Sequence, residues 1–559
     1  MRAINALIWA AALYAPSTVL ALWPMPRTLN TGSTYMKLAS TFSIQINVNN
    51  PPQDLLDAVS QTTGFLQNDK LRRLAIGRGA NDTSILAGAA SLPKLTLSLL
   101  NGQIASSIAQ ESVRPLGQRS EGYSLTVPGD GSAATITANS TLGLFRGLTT
   151  FSQLWYDASG VTYTFMAPVV ISNDSPAFPY RGFMLDTSRN FFPVDDIKRT
   201  LDAMSWVKIN TLHWHIVDSQ SFPLDVAEFP EIAQNGAYDA SEVYTAADVQ
   251  EIVAYAGARG IDVLMEIDTP GHTAIISKSH PEHIACAESS PWETFANEPP
   301  SGQLRLASSA TRDFTANLLT AVAKTLPSTL FSTGGDEVNT NCYSQDPQTQ
   351  TDLKNSGKTL EQALSDFVLN NHRALAAIGK TPVVWEEMVL DHNIAVSNNT
   401  VVMVWISSQH AASVASKNLH IVHAPSDYFY LDCGAGDWLG NNPTGNSWCD
   451  PFKTWQKAYT FDPLASLTTA QRALVLGGQQ LLWTEQSSPE NLDSIAWPRA
   501  ASSAEVFWTG ATLPDGKPRS VNSALPRLHD LRFRMVRRGV RAIALQPEWC
   551  AVRPGACNI

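Results

Sequence analysis

The chain has 559 residues, too many for one compact domain and suited to two or three. Hydrophobic residues make up 44% and charged residues 16%, with 33 glycines and 33 prolines, which is an ordinary globular composition without a disordered half. The net charge of −11 leaves no basic surplus to neutralise phosphates, so neither a nucleic-acid nor an anionic-membrane partner is expected.

Residues 1–21 carry one basic residue, a short apolar run broken by Pro16, and the small-residue site Val19-Leu20-Ala21. They read as a secretory signal cleaved after Ala21, which makes the mature protein extracellular. Secretion gives meaning to the Asn-x-Ser/Thr sequons at Asn81, Asn139, Asn173 and Asn398 as glycosylation acceptors. It also suits three disulfides among the six cysteines at 286, 342, 433, 449, 550 and 557. Nearest-neighbour pairing gives 286–342, 433–449 and 550–557, but the sequence alone allows fifteen connectivities. No Cys-x-x-Cys or His-Glu-x-x-His spacing suggests zinc.

Residues 22–178 read as a small α/β domain. KLTLSLL (94–100), GYSLTVP (122–128) and AATITANS (133–140) have strand character, and TLGLFRGLTTFSQLW (141–155) has helical spacing. The basic stretch DKLRRLAIGRGAND (69–82) is either a loop or a processing region.

From residue 179 to 559 the pattern changes. Eight apolar runs alternate with helical segments: 182–186, 209–218, 261–268, 329–337, 381–387, 400–405, 419–424 and 474–485. Eight β-runs interleaved with helices specify a (β/α)₈ barrel rather than a doubly wound sheet. Charged and aromatic residues collect at the ends of these runs, where such barrels carry their chemistry: Asp186, Asp218, Asp268, Asp336-Glu337, Trp385-Glu386, Trp405 and Trp483-Glu485. Acids beside tryptophans suggest a sugar site, because indole faces stack on pyranose C–H surfaces while carboxylates and Arg bind hydroxyls. Asp336 and Glu337 are adjacent, so on a strand they would face opposite ways and cannot simply flank one glycosidic bond. His213 and His215 share a strand face, but no third ligand presents itself, and no metal or other cofactor is expected.

The motifs RGFMLDTSRNFFP (181–193), HWHIVD (213–218), DTPGH (268–272), GGDEV (334–338), VVWEE (383–387) and WPRAASSAEVFW (497–508), in chain order, resemble the secreted β-N-acetylhexosaminidases of glycoside hydrolase family 20. LWPMP (22–26) and the Cys433–Cys449 loop resemble the fungal members. The resemblance implies a retaining exo-enzyme that removes terminal N-acetylglucosamine or N-acetylgalactosamine from chitin oligomers or glycans, with the substrate's own acetamido oxygen as nucleophile. It implies Glu337 as acid and base, Asp336 on the acetamido N–H, and Tyr430 on its carbonyl. His272 and Asp218 form a relay to the acid in this reading. Arg181, Asp432 and Glu485 would bind hydroxyls, and Trp385, Trp405 and Trp483 would wall the sugar. The resemblance also implies the disulfide pairs 286–342, 433–449 and 550–557, and, from the fungal members, homodimers and a pro-segment after the signal, within residues 22 to about 100. Glu266, Asp268, Glu386 and Glu387 read as packing or supporting residues. Three other readings are weaker. A carbohydrate-binding protein on a dead scaffold would be expected to have lost the acid, and Glu337 is present. An endo-acting chitinase would carry a DxxDxDxE strand, and a metal hydrolase a third ligand.

Overall fold

The computed structural model describes residues 21–100, 103–440 and 442–559, so the signal read at 1–21 lies, apart from Ala21, outside the described residues. The N-terminal unit is a six-stranded sheet of β1 (Asn30–Asn47), β2 (Ala90–Leu99), β3 (Tyr123–Val127), β4 (Ala134–Ala138), β5 (Tyr156–Ala158) and β6 (Val161–Asp174). The strand order is β1-β2-β4-β3-β6-β5, and β1 also pairs with β6. The helix Thr141–Ser152, with Ser140 capping its first turn, packs a nearly continuous buried surface on this sheet. The segment 22–100 thus supplies two strands of the sheet. Arg73 in the basic stretch pairs with Asp82 at 3.0 Å.

The second unit is a closed barrel of parallel strands. β7 (Tyr180–Asp186), β8 (Thr211–Val217) and β9 (Asp262–Ile267) lead into a loop with a short antiparallel pair, β10 (Ile284–Ala285) and β11 (Gln303–Leu304). β12 (Leu330–Ser332), β13 (Thr381–Trp385), β14 (Val401–Val404), β15 (His420–His423) and β16 (Val475–Leu482) complete the ring, and β16 pairs with β7. Every residue of β7, β8 and β9 is buried, as parallel strands covered on both faces require. All eight runs read from the sequence hold a barrel strand. The three disulfides are Cys286–Cys342, Cys433–Cys449 and Cys550–Cys557.

The segment Leu22–Met25 stitches the two units. The Trp23 amide donates to Gln153 at 2.7 Å, its indole N–H donates to the Ala501 carbonyl at 2.8 Å, and the Met25 amide donates to Glu505 at 2.9 Å. Trp23 is fully buried. The four sequon asparagines, Asn81, Asn139, Asn173 and Asn398, are all exposed.

Candidate active site

Strand ends gather one pocket at the C-terminal rim, with a cavity of about 150 Å³. Arg189, His272, Glu298, Asp336, Glu337, Trp405, Tyr430, Asp432, Trp483 and Glu485 line it, as do Trp438 and Trp448 from the loop closed by Cys433–Cys449. A wider groove of about 540 Å³ lies beside the N-terminal sheet, but its charged groups are committed: Arg119 pairs with Asp262, and Glu121 with Arg146 and Arg181.

The acid pair owes its geometry to the turn after β12. β12 ends at Ser332, and Gly334, Gly335 and Glu337 then take φ of 63°, 108° and 56°. A Cβ on Gly334 would sit 1.9 Å from Asp268 Oδ1, so only glycine fits there. The Gly335 amide donates to the same Asp268 oxygen at 2.7 Å. The left-handed backbone at Glu337 breaks strand alternation, and both acids turn to one side. His272 Nε2 lies 3.4 Å from Glu337 Oε2 and 3.7 Å from Asp336 Oδ2. The expectation that the neighbours face different ways therefore fails, because Asp336 and Glu337 sit beyond the strand. His272 is also left-handed, at φ 56°.

Behind His272 runs an unbroken chain of side chains through the barrel. His272 Nδ1 meets Asp218 at 3.0 Å, Asp218 meets His215 at 2.8 Å, His215 meets Glu266 at 2.6 Å, and Glu266 meets His213 at 3.1 Å. His213 then meets Gln479 at 3.0 Å, which accepts from the Tyr180 hydroxyl at 2.6 Å. The second face of the His213–His215 pair is thus taken by Glu266. Burial opposes charge here, yet the partners win. Both ring nitrogens of His215 face carboxylates, which push its pKa up to about 10. Burial would raise Asp218, but Arg189 and His272 hold it well below the usual carboxylate range. His272 is held well above its ordinary value by Asp218 and Asp336 despite burial. Asp336 and Asp268 lie, with His272, within 4.8 Å of one another. Burial and the facing carboxylate raise Asp268 well above its usual range, and burial raises Asp336 as well.

Arg181 requires a correction. It stands at the first turn of β7, the N-terminal end of the barrel, and its guanidinium bonds Glu121 at 2.5 Å, the Lys208 carbonyl at 2.8 Å and the Phe178 carbonyl at 3.0 Å. Arg181 and Arg146 hold the buried Glu121 at about 2 against desolvation. Arg181 is therefore a clamp between the two units and is not among the residues that line the pocket. Arg189, eight residues on and past the end of β7, is the arginine in the pocket. It pairs with Glu298 at 2.7 Å, Asp218 at 3.0 Å and Asp186 at 3.1 Å. The rule that places function at strand C-termini favours Arg189 over Arg181, so the signal was available. Glu298, from the long loop between β9 and β12, carried no sequence signal.

The remaining residues meet around an aromatic box. Trp405 stacks on Tyr430 with centroids 6.3 Å apart, Trp483 lies 6.1 Å from Trp385, and Tyr430 lies 6.4 Å from Trp483. Trp385 is not at the pocket wall but behind it, fully buried. Trp405 is fixed by donating to Glu387 at 2.7 Å. Tyr428, the neighbouring tyrosine, packs on Phe461 outside the pocket. Burial raises Asp432 to about 7 and Glu485 well above its usual range.

His215 gives a pH test. Its raised value means its ion pairs contribute stability fully below about pH 6.5 and lose it as pH rises toward about 10. The thermal midpoint of the native protein should fall between about pH 7 and pH 10 more steeply than that of His215→Gln. Parallel profiles would contradict the buried imidazolium.

Comparison with known proteins agrees with this geometry. The model for "Glycosyl hydrolase family 20, catalytic domain" matches residues 178–511, and a model described as "beta-acetyl hexosaminidase like" matches residues 22–154. A beta-hexosaminidase of Arthroderma benhamiae is 37% identical over 81% of this chain and 77% of its own length. A chitooligosaccharidolytic beta-N-acetylglucosaminidase of Bombyx mori is 34% identical over 96% and 89%. Among solved structures, a Flavobacterium johnsoniae chitobiase superposes with a TM-score of 0.72 at 26% identity, over 93% of this chain and 73% of that one. With a catalytic-domain match over more than half its length and relatives of this identity, the chain belongs to glycosyl hydrolase family 20.

Proposed function

We propose that the chain, a β-N-acetylhexosaminidase of family 20, cleaves terminal N-acetylhexosamine from chitin oligomers or glycans by substrate-assisted retention. The observation that carries this reading is the convergence of Asp336 and Glu337 on one side of His272, above an aromatic box. Glu337, the more exposed of the two acids, protonates the glycosidic oxygen and then deprotonates the attacking water. Asp336, buried beside Asp268, accepts the acetamido N–H and stabilises the positive charge of the oxazolinium ion. Tyr430 donates to the acetamido oxygen, and Trp405 and Trp483 enclose the methyl group. Asp218 and His272 set the charge behind Glu337. Arg189, in place of Arg181, holds the sugar hydroxyls together with Asp432 and Glu485.

A small cavity with Trp385 packed behind its wall suits a chain end, which supports exo action. Its open side carries Trp448, 67% exposed and edge-on to Trp405 at 5.7 Å, and Trp438. These rings face the leaving group and suit stacking of a second sugar. Secretion is supported by the signal-like residues 1–21, three disulfides and four exposed sequons; among the described residues no helix is long and apolar enough to cross a membrane. Pairing into a homodimer rests on the resemblance alone.

The test is hydrolysis of a nitrophenyl N-acetyl-β-glucosaminide with and without a thiazoline mimic of the oxazolinium ion. Block by low concentrations of the mimic is expected, together with a loss of ~10²–10³-fold in kcat for Asp336→Asn. Activity indifferent to the mimic would indicate a protein nucleophile instead.

The two arginines separate cleanly. Arg189→Ala should lower kcat/KM of the folded fraction by at least ~100-fold, because one charge-assisted hydroxyl fork is lost, and should also lower the thermal midpoint, because buried Asp218 and Asp186 lose a partner. Arg181→Ala should cost about 3–5 kcal/mol of stability by stranding Glu121, with kcat/KM of the folded fraction near that of the native protein. The reverse pattern would restore Arg181 to the site.

A further inference from the structure

The loop between β9 and β12 carries a second cluster of ligating groups, away from the pocket. His280 immediately precedes, and Glu282 and His283 lie on, the 3₁₀ turn Pro281–His283, and the three present one ring or carboxylate atom each within 4.8 Å of one another. Glu282 Oε1 lies between the rings, 3.3 Å from His280 Nδ1 and 3.8 Å from His283 Nε2. Atoms held by one tetrahedral ion with bonds of ~2.1 Å stand about 3.4 Å apart, so His280 Nδ1 and Glu282 already have ligand spacing and His283 has only to close in on them.

The opposite nitrogen of each ring is already held. His280 Nε2 meets Glu231 Oε1 at 2.9 Å, from the helix Pro230–Gly236. His283 Nδ1 meets Thr311 Oγ1 at 3.0 Å, from the helix Ser309–Ala323. With the N–H of each ring directed to those oxygens, the lone pairs of His280 Nδ1 and His283 Nε2 point to Glu282. A carboxylate or hydroxyl behind the ring is the arrangement that orients ligating histidines and raises their basicity. The rings are also packed in place: Phe314 lies 4.3 Å from His283 and 4.9 Å from His280, and Phe229 closes on Phe314 at 5.4 Å. A simple surface ion pair needs neither the second partner on each ring nor the aromatic backing.

We propose that His280, Glu282 and His283 form a zinc-class divalent cation site, with water as the fourth ligand, that pins this loop to the helix bearing Glu231. Two imidazoles and one carboxylate suit Zn²⁺, where all-oxygen sets suit Ca²⁺ or Mg²⁺. The loop begins after His272 and includes Glu298 of the pocket, so the ion would brace one wall of the active site without entering the chemistry. The proposal does not depend on the reaction route.

The test uses the full-length protein stripped with chelator and titrated calorimetrically with Zn²⁺. The native protein should take up one more ion per chain than His283→Gln, with micromolar or tighter affinity, and should gain roughly 1–3 °C in thermal midpoint that His283→Gln does not gain. Co²⁺ in its place should give the intense visible bands of a four-coordinate site, absent in His283→Gln. Should that variant misfold, Glu282→Gln, on an exposed side chain, is expected to weaken binding at least tenfold. Identical isotherms for the native protein and the variants, or Zn²⁺ uptake that follows only loss of hydrolysis at the catalytic acids, would overturn the proposal.

Discussion

The site depends on one buried carboxylate, Asp218, which would be untenable without its neighbours. Three basic groups surround it: His215 at 2.8 Å, His272 at 3.0 Å and Arg189 at 3.0 Å. Removing a carboxylate from water costs several kcal/mol, and here the three partners over-repay it, holding Asp218 ionised. Each of those partners then faces a different task. Arg189 turns to the pocket and Glu298, His272 to the acid pair, and His215 back into the barrel toward Glu266. One anion thereby ties together the arginine of the pocket, the histidine beside the acid pair and the polar barrel core.

The polar chain explains features that packing alone would not. A (β/α)₈ barrel usually fills its interior with branched apolar side chains, yet His213, His215, Glu266 and Gln479 occupy it here. Each is satisfied by the next, so no polar atom along the line from Tyr180 to His272 is left to pay for desolvation. The left-handed backbone at His272 and Glu337 is the strained end of the same design. Strain at those two residues brings the acid over the relay, and Gly334 and Gly335 supply the tight turn that makes it sterically possible.

The barrel was legible because its signal is redundant: eight apolar runs, each ending in polar residues, leave few alternatives. Of the site, the residues at strand ends were readable, and Asp336, Glu337, His272, Tyr430, Trp405, Asp432, Trp483 and Glu485 do meet in one pocket. One signal was available and misapplied: Arg181 and Arg189 share one motif, and the strand end at Asp186 tells them apart. Two things were not readable. The common orientation of Asp336 and Glu337 comes from a positive φ that no periodicity encodes. Glu298 arrives from a loop whose course depends on tertiary contacts. In the N-terminal unit, the second half of β1 was also readable, because Phe42, Ile44 and Ile46 alternate with polar residues and pack half-buried on the core, but it was not read as a strand.

The most direct test of Glu337 as the acid compares kcat/KM of Glu337→Gln on two substrates of the same N-acetylglucosaminyl group. One has a second sugar as leaving group, the other dinitrophenolate. A sugar alkoxide needs a proton to depart and dinitrophenolate does not, so the loss on the disaccharide should exceed the loss on the aryl substrate by at least ~100-fold. Equal losses on both substrates would contradict proton donation by Glu337.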